Sequence, residues 1–213
     1  MISDSVRPAT IRERENIFAG RIWDVRRDNL TLESGAEVTR DYVVHPGAVG
    51  IIAVNTQGEM LLVEQYRHPM GKLMWEPPAG LLDEPDENPL TAAQRELLEE
   101  TGFVAEQWNV LFDMATSPGG STEVIRCYLA QQVSEHAEGR PTREDEEADM
   151  QVRWVPITEI LEALHLGLVT SPILLTGTLS ALLAMADPEV FLREAHAMWP
   201  SRVDLVENDR IRR

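Results

Sequence analysis

Residues 80–103 read GLLDEPDENPLTAAQRELLEETGF. Within this run Glu96, Glu99 and Glu100 stand at i, i+3 and i+4, a spacing that gathers side chains on one side of an α-helix, with Arg95 just ahead of them. Three like charges within one turn repel each other, so the arrangement needs either solvent screening or a positive charge in their midst. Two readings are open. One is a solvated acidic face; the other is an oxygen-rich ligand set of the kind Mg²⁺ or Mn²⁺ takes. In the second, a divalent ion turns repulsion into attraction and Arg95 steadies a neighbouring glutamate from outside the ligand set.

A helix must present these groups, and its ends are written in the sequence. Asn88 is a good N-cap, Pro89 suits the first helical position and Gly102 stands where a C′ glycine closes a helix. At about 100° per residue the three glutamates fall within an arc of roughly 100°, and Leu90, Ala93 and Leu97 beside it face the core. Alternation over residues 17–45 predicts antiparallel strands joined at Glu33–Ser34–Gly35–Ala36. AVGIIAVN and MLLVEQYR read as strands around a hairpin signal, Thr56–Gln57–Gly58–Glu59. WNVLFDMA and EVIRCYLAQQV follow as strands around the loop SPGGST; MQVRWVP is another strand, and 156–165 and 172–186 read as helices. The order is β-rich with inserted helices, hence α+β. Residues 187–213 mix charge with isolated aromatics and predict no role.

The run RELLEETGF resembles the second half of the Nudix box, REUxEExGU, at every position. In the first half the family spacing is Gly-x5-Glu, whereas six residues separate Gly80 from Glu87, which places the extra residue in the loop LLDEPD. EQYRHPMGKLMWEPPAG, GLLD, SPGGSTE and EEADM resemble the ADP-ribose pyrophosphatase branch of that family, and the similarity spans roughly residues 17–186. The resemblance implies a Nudix fold, a mixed β-sheet sandwiched between helices, with an antiparallel extension over 1–45, the hydrolase domain over 46–186 and a tail over 187–213. It implies attack of water on a diphosphate, releasing AMP and ribose 5-phosphate from ADP-ribose, with Mg²⁺ as cofactor and Mn²⁺ as substitute. Carried over by position, Glu96 and Glu100 are the principal metal ligands, Glu99 a further or bridging one, and the Ala79 carbonyl completes the set. The general base falls among Glu144, Glu146 and Glu147, foremost Glu146 or Glu147. Arg67 takes substrate phosphates, and Leu81, Ser117, Pro118 and Gly119 approach the ligand. Glu123 contacts a ribose. Arg40, from the neighbouring chain of a symmetric homodimer, stacks on adenine, with Arg21 and Ile22 near the other wall. Trp23 and Trp75 are expected in the core or an interface. Alternatives within the resemblance are a GDP-mannose-type nucleotide-sugar diphosphatase and a non-catalytic ADP-ribose sensor, although sensors typically lose box glutamates. Enzymes that clear oxidised nucleoside triphosphates usually have little before the first sheet strand, unlike this chain.

Composition sets the outer bounds. The formal charge is −17, which argues against a partner bound by neutralising nucleic-acid phosphates. An anionic substrate then needs local arginines or metal ions. Cys127 is the lone cysteine, so no disulfide framework exists and a reducing cytoplasm is the expected compartment. The N-terminus lacks an apolar signal-peptide core. Residues 166–186 carry no charge, but their glycines, Pro172 and threonines favour a buried amphipathic helix over a membrane span.

Overall fold

The sequence produces two compact units, seen in a computed structural model that describes residues 2–7, 9–84, 87–141 and 150–212. The first unit contains the chain up to Gly47, residues 115–124 and everything from Trp199 onward. Its frame is an antiparallel meander of β1 (Thr10–Ala19), β2 (Asp24–Thr31) and β3 (Glu37–Val44). The predicted turn joins β2 to β3: the Leu32 amide donates to the Ala36 carbonyl at 2.9 Å, and Gly35 takes a φ of 81° that favours glycine. Inside the sheet Asp28 is buried, held bidentately by Arg14 at 2.8 and 3.0 Å and by the Tyr42 hydroxyl at 3.1 Å. Burial pushes the Asp28 carboxyl up, but those hydrogen bonds outweigh it and leave its pKa below the ordinary value.

The C-terminal segment belongs to this unit and ends in helix α5 (Pro200–Glu207; α1–α4 lie earlier in the chain). Trp199 ahead of it is buried, and Arg202 donates to the Pro46 carbonyl at 2.6 Å. Past the helix, Arg26 and Arg14 donate to the Asp209 carbonyl at 2.7 and 3.3 Å, and Arg212 donates to that of Gly20 at 2.9 Å. The final residues are thus pinned by guanidinium groups rather than by apolar packing alone.

The second unit holds residues 48–114 and 125–198. Its five-stranded mixed sheet includes β4 (Ala48–Ala53), β7 (Ala79–Leu81), β8 (Phe103–Ala115), β9 (Val124–Glu135) and β11 (Arg193–Glu194), in the order β11-β8-β9-β4-β7. β4 runs parallel to β9 and antiparallel to β7. A second, antiparallel sheet is made by β5 (Glu59–Arg67), β6 (Lys72–Glu76) and β10 (Gln151–Pro156), ordered β10-β5-β6. The signal at 56–59 is a real turn, with Gly58 at φ 77°, but β4 and β5 share only the bridge Val54–Met60 before joining different sheets. The expected hairpin is therefore a turn between sheets.

Helices α1 (Pro89–Thr101), α2 (Ile157–His165), α3 (Pro172–Ala186) and α4 (Pro188–Phe191) complete the unit. Ile52, Met60, Leu62, Leu129, Val155 and Ile160 are buried together with Leu174 of α3, and Trp75 packs against them. Full burial of each such aliphatic side chain contributes about 1.5–3 kcal/mol. α3 departs from expectation. One side, with Leu174, Thr178, Ala181 and Ala184, is buried, but Leu175, Leu179 and Leu183 on the rest of its surface stay 44–49% exposed. It is apolar all round rather than amphipathic. At 15 residues it is short of the roughly 20 a bilayer span needs, and among the described residues no helix is long and apolar enough to cross a membrane.

Candidate active site

Helix α1 forms where its punctuation predicts. The Asn88 side chain accepts from the Leu90 amide at 2.9 Å, and Gly102, at φ 78°, donates its amide to the Leu98 carbonyl at 2.8 Å. Ala92, Ala93 and Leu97 are buried, while Leu90, expected in the core face, is only half-buried. The acidic face adjoins this packed side.

The positive charge that the glutamates require is Arg95. Its Nη1 donates to Glu96 at 2.7 Å and to Glu99 at 3.0 Å, while Nε and Nη2 grip Glu87 at 3.1 and 3.0 Å. One guanidinium therefore gathers three carboxylates, two on the helix and one just before it. The bond with Glu87, opposed by partial burial and reinforced by Glu96 and Glu99, raises the Arg95 pKa further above its ordinary value. Glu100 points elsewhere. It is 5% exposed and accepts from the Ala79 amide at 3.0 Å, which ties α1 to β7. Gly80 continues that strand, and a Cβ there would fall inside the Glu96 carboxyl. The Glu96 side chain thus lies against bare backbone, in space that only glycine leaves open. β7 is held in turn by β4, with Gly50 opposite Ala79 and Ala48 opposite Leu81.

Among the described residues, no three carboxylate, imidazole or thiol groups converge as a divalent ion would need. The donor chemistry nevertheless fits such an ion. The set is all oxygen, with Glu96 and Glu99 gathered by Arg95, Glu100 on the Ala79 amide and a carbonyl on the adjoining strand, and Gly80 keeps the helix accessible to backbone.

The remaining predicted residues divide by unit. In the second, Arg67 ends β5 and donates to Glu76 at 2.7 Å, a partner that its own motif did not reveal. In the first, Ser117 caps the turn 118–120 by accepting from the amides of Gly120 and Ser121 at 3.0 and 2.9 Å; Gly119 has open space where a side chain would be. Pro118 and Glu123 line a common cavity. Glu123 accepts from Thr116 and lies 3.5 Å from His45 Nε2. His45, missed by motif reading, accepts from the Gly47 amide on Nδ1 at 3.0 Å; burial pushes its pKa down, partly offset by Glu123. Arg40 lies exposed on β3 and donates to the neighbouring Thr39 carbonyl, and Arg21 and Ile22 are exposed in the turn between β1 and β2. Trp23 lies against Phe18 with the ring planes tilted by 51° and is 42% exposed, so it is not a core residue of this chain. Glu144, Glu146 and Glu147 lie outside the described residues.

The chain is 43% identical to the ADP-ribose pyrophosphatase of Mycobacterium tuberculosis (strain ATCC 25618 / H37Rv) over 166 residues, covering 78% of this chain and 79% of that one. It is 42% identical over 136 residues to a Bacillus methanolicus protein named methanol dehydrogenase activator, covering 64% and 73% respectively. A solved structure, described as an ADP compounds hydrolase, superposes with a TM-score of 0.70 at 19% identity, covering 88% of this chain and 99% of that one; at that identity it speaks for the fold alone. Residues 44–171 match the family model for the NUDIX domain, and α1, β7 and the Arg95-centred glutamates all lie within that span, so the chain belongs to the Nudix family.

Proposed function

We propose that the protein is a Nudix pyrophosphohydrolase that hydrolyses ADP-ribose to AMP and ribose 5-phosphate, with Mg²⁺ as its ion and Mn²⁺ as a substitute. The observation that carries this reading is the α1–β7 arrangement, with Glu96 and Glu99 gathered by Arg95 and Glu100 on the Ala79 amide. Glu96, Glu99, Glu100 and the Ala79 carbonyl are the groups that would hold the ion. When bound, it supplies positive charge to a diphosphate that a chain of net charge −17 otherwise repels. Arg67 contributes its planar fork to phosphate oxygens by exchanging Glu76 for substrate. Glu146 or Glu147, or failing these Glu99, takes the proton from the attacking water. Ser117, Pro118, Gly119 and Glu123 bound the sugar end, Leu81 lies beside the diphosphate, and Arg21, Ile22 and a partner-derived Arg40 enclose the base in a homodimer.

The 43% identity to an ADP-ribose pyrophosphatase supports this substrate over other nucleotide sugars. Incubation of the purified protein with ADP-ribose and Mg²⁺, followed by chromatography, is expected to yield AMP in proportion to enzyme. Absence of AMP, or faster turnover of GDP-mannose in the same panel, refutes the substrate assignment.

A further inference from the structure

Helix α1 carries its charge the wrong way round. Glu99 and Glu100 stand in its last turn, where the negative end of the helix dipole opposes them, and that turn contains no basic residue. Arg95 pairs with Glu96 and Glu99 from the turn before, whereas Glu100 is buried at the end itself. A cation reaches this end from 40 positions further along the chain. Arg140 donates to the Glu100 carbonyl, one of the last four acceptors of the helix.

This contact is more than the reach of one side chain, because the backbone ahead of Arg140 is seated on the helix terminus. The His136 amide donates to the Gly102 carbonyl at 2.9 Å, and Gly139, at φ 72°, returns its amide to the His136 carbonyl at 2.8 Å. Gly102 leaves the room: a Cβ there would stand 2.9 Å from the Arg140 Cβ and 3.2 Å from its Cα and amide nitrogen. Helix and turn both belong to the second unit.

Glu100 is therefore fixed twice, its carboxylate on the Ala79 amide at 3.0 Å and its carbonyl on Arg140. The first bond restrains the side chain. The second restrains the backbone that carries it, at the turn where helices fray. Mg²⁺ demands near-ideal ligand placement, and groups that orient its ligands from outside the set alter metal affinity by about 10–100-fold when removed.

Resting on the hydrolase reading above, we propose that Arg140 is a positioning residue for the ion's ligand set: it closes the last turn of α1 so that Glu100 is presented to the ion.

The test is titration of the full chain with Mn²⁺ alone, read by the electron paramagnetic resonance signal of the free ion. Arg140→Ala is expected to raise the Mn²⁺ Kd about tenfold. The Mg²⁺ concentration for half-maximal rate rises by a similar factor, while the KM for ADP-ribose at saturating Mg²⁺ stays within twofold. Arg140→Lys keeps a cationic donor at the helix end and is expected to bind Mn²⁺ within threefold of wild type. Arg140→Gln keeps a donor without the charge and is expected to be about fivefold weaker; it supplies the reading if the alanine variant does not fold. Arg153→Ala removes the same charge from an exposed pair with Glu159 and is expected to leave the Mn²⁺ Kd unchanged. A Kd within twofold of wild type in folded Arg140→Ala or Arg140→Gln, whatever the change in Tm, overturns the proposal and leaves Arg140 a structural cap. An equal loss in Arg153→Ala overturns it too. Weakened Mn²⁺ binding in these variants of a protein that yields no AMP from ADP-ribose refutes the hydrolase reading and upholds the positioning role. No Mn²⁺ binding by wild type refutes both.

Discussion

Gly80 shows how little room the acidic face has. Any Cβ at this position enters the Glu96 carboxyl, so Gly80→Ala is expected to displace that side chain. It should cut kcat/KM by a hundredfold or more while costing only about 1 kcal/mol of stability, since one displaced rotamer and its contact with Arg95 are the main loss. Steady-state kinetics and a melting curve on the same sample separate the two effects. Glu100→Gln keeps the shape and can still accept from Ala79, so it is expected to fold normally and lose metal-dependent turnover; unchanged turnover would remove Glu100 from the ligand set. His45 yields a pH signature. Its folded pKa is depressed by burial, so below the ordinary value of 6.5 the unfolded chain binds the proton more readily and the native state loses stability as pH falls. His45→Gln is expected to flatten that loss as pH falls below about 6.5, read as the difference in Tm between variant and wild type.

Helix α1 was legible in the sequence because its instructions are local. Asn88, Pro89 and Gly102 set its ends, and the spacing of Glu96, Glu99 and Glu100 sets its acidic face. Asn88→Ala is accordingly expected to cost about 1 kcal/mol, measured by denaturant titration. The far end carries a feature no local signal announces: Arg140 donates to the Glu100 carbonyl in the helix's last turn, where an orphan acceptor and the dipole both favour a cation. The divergence of β4 and β5 was illegible for the same reason, since turn chemistry at 56–59 fixes the reversal but not which sheet each strand joins. α3 misled in another way. Its continuous apolar run has too little contrast for periodicity to single out one face; the buried side carries the small residues Gly177, Ala181 and Ala184 beside Leu174 and Thr178, with Gly177 against Ile52.

Across the whole molecule, the C-terminal residues were unreadable because what holds them lies far away in sequence: Arg14, Arg26 and Pro46 meet Asp209 and Arg202 across more than 150 positions. The N-terminal unit leaves Ile17, Phe18, Ile22 and Trp23 each 42–54% exposed, an apolar set that a second copy of the chain would cover. Light scattering after gel filtration is expected to give twice the chain mass, and Phe18→Glu to shift it toward the monomer. The last consequence comes from Arg95. Because a tethered cation already offsets part of the charge on Glu87, Glu96 and Glu99, the chain's own residues can assemble this region before any ion is acquired. Chelation should therefore silence the protein reversibly without melting it, leaving an intact apo form to be re-armed by whatever divalent ion the surroundings supply.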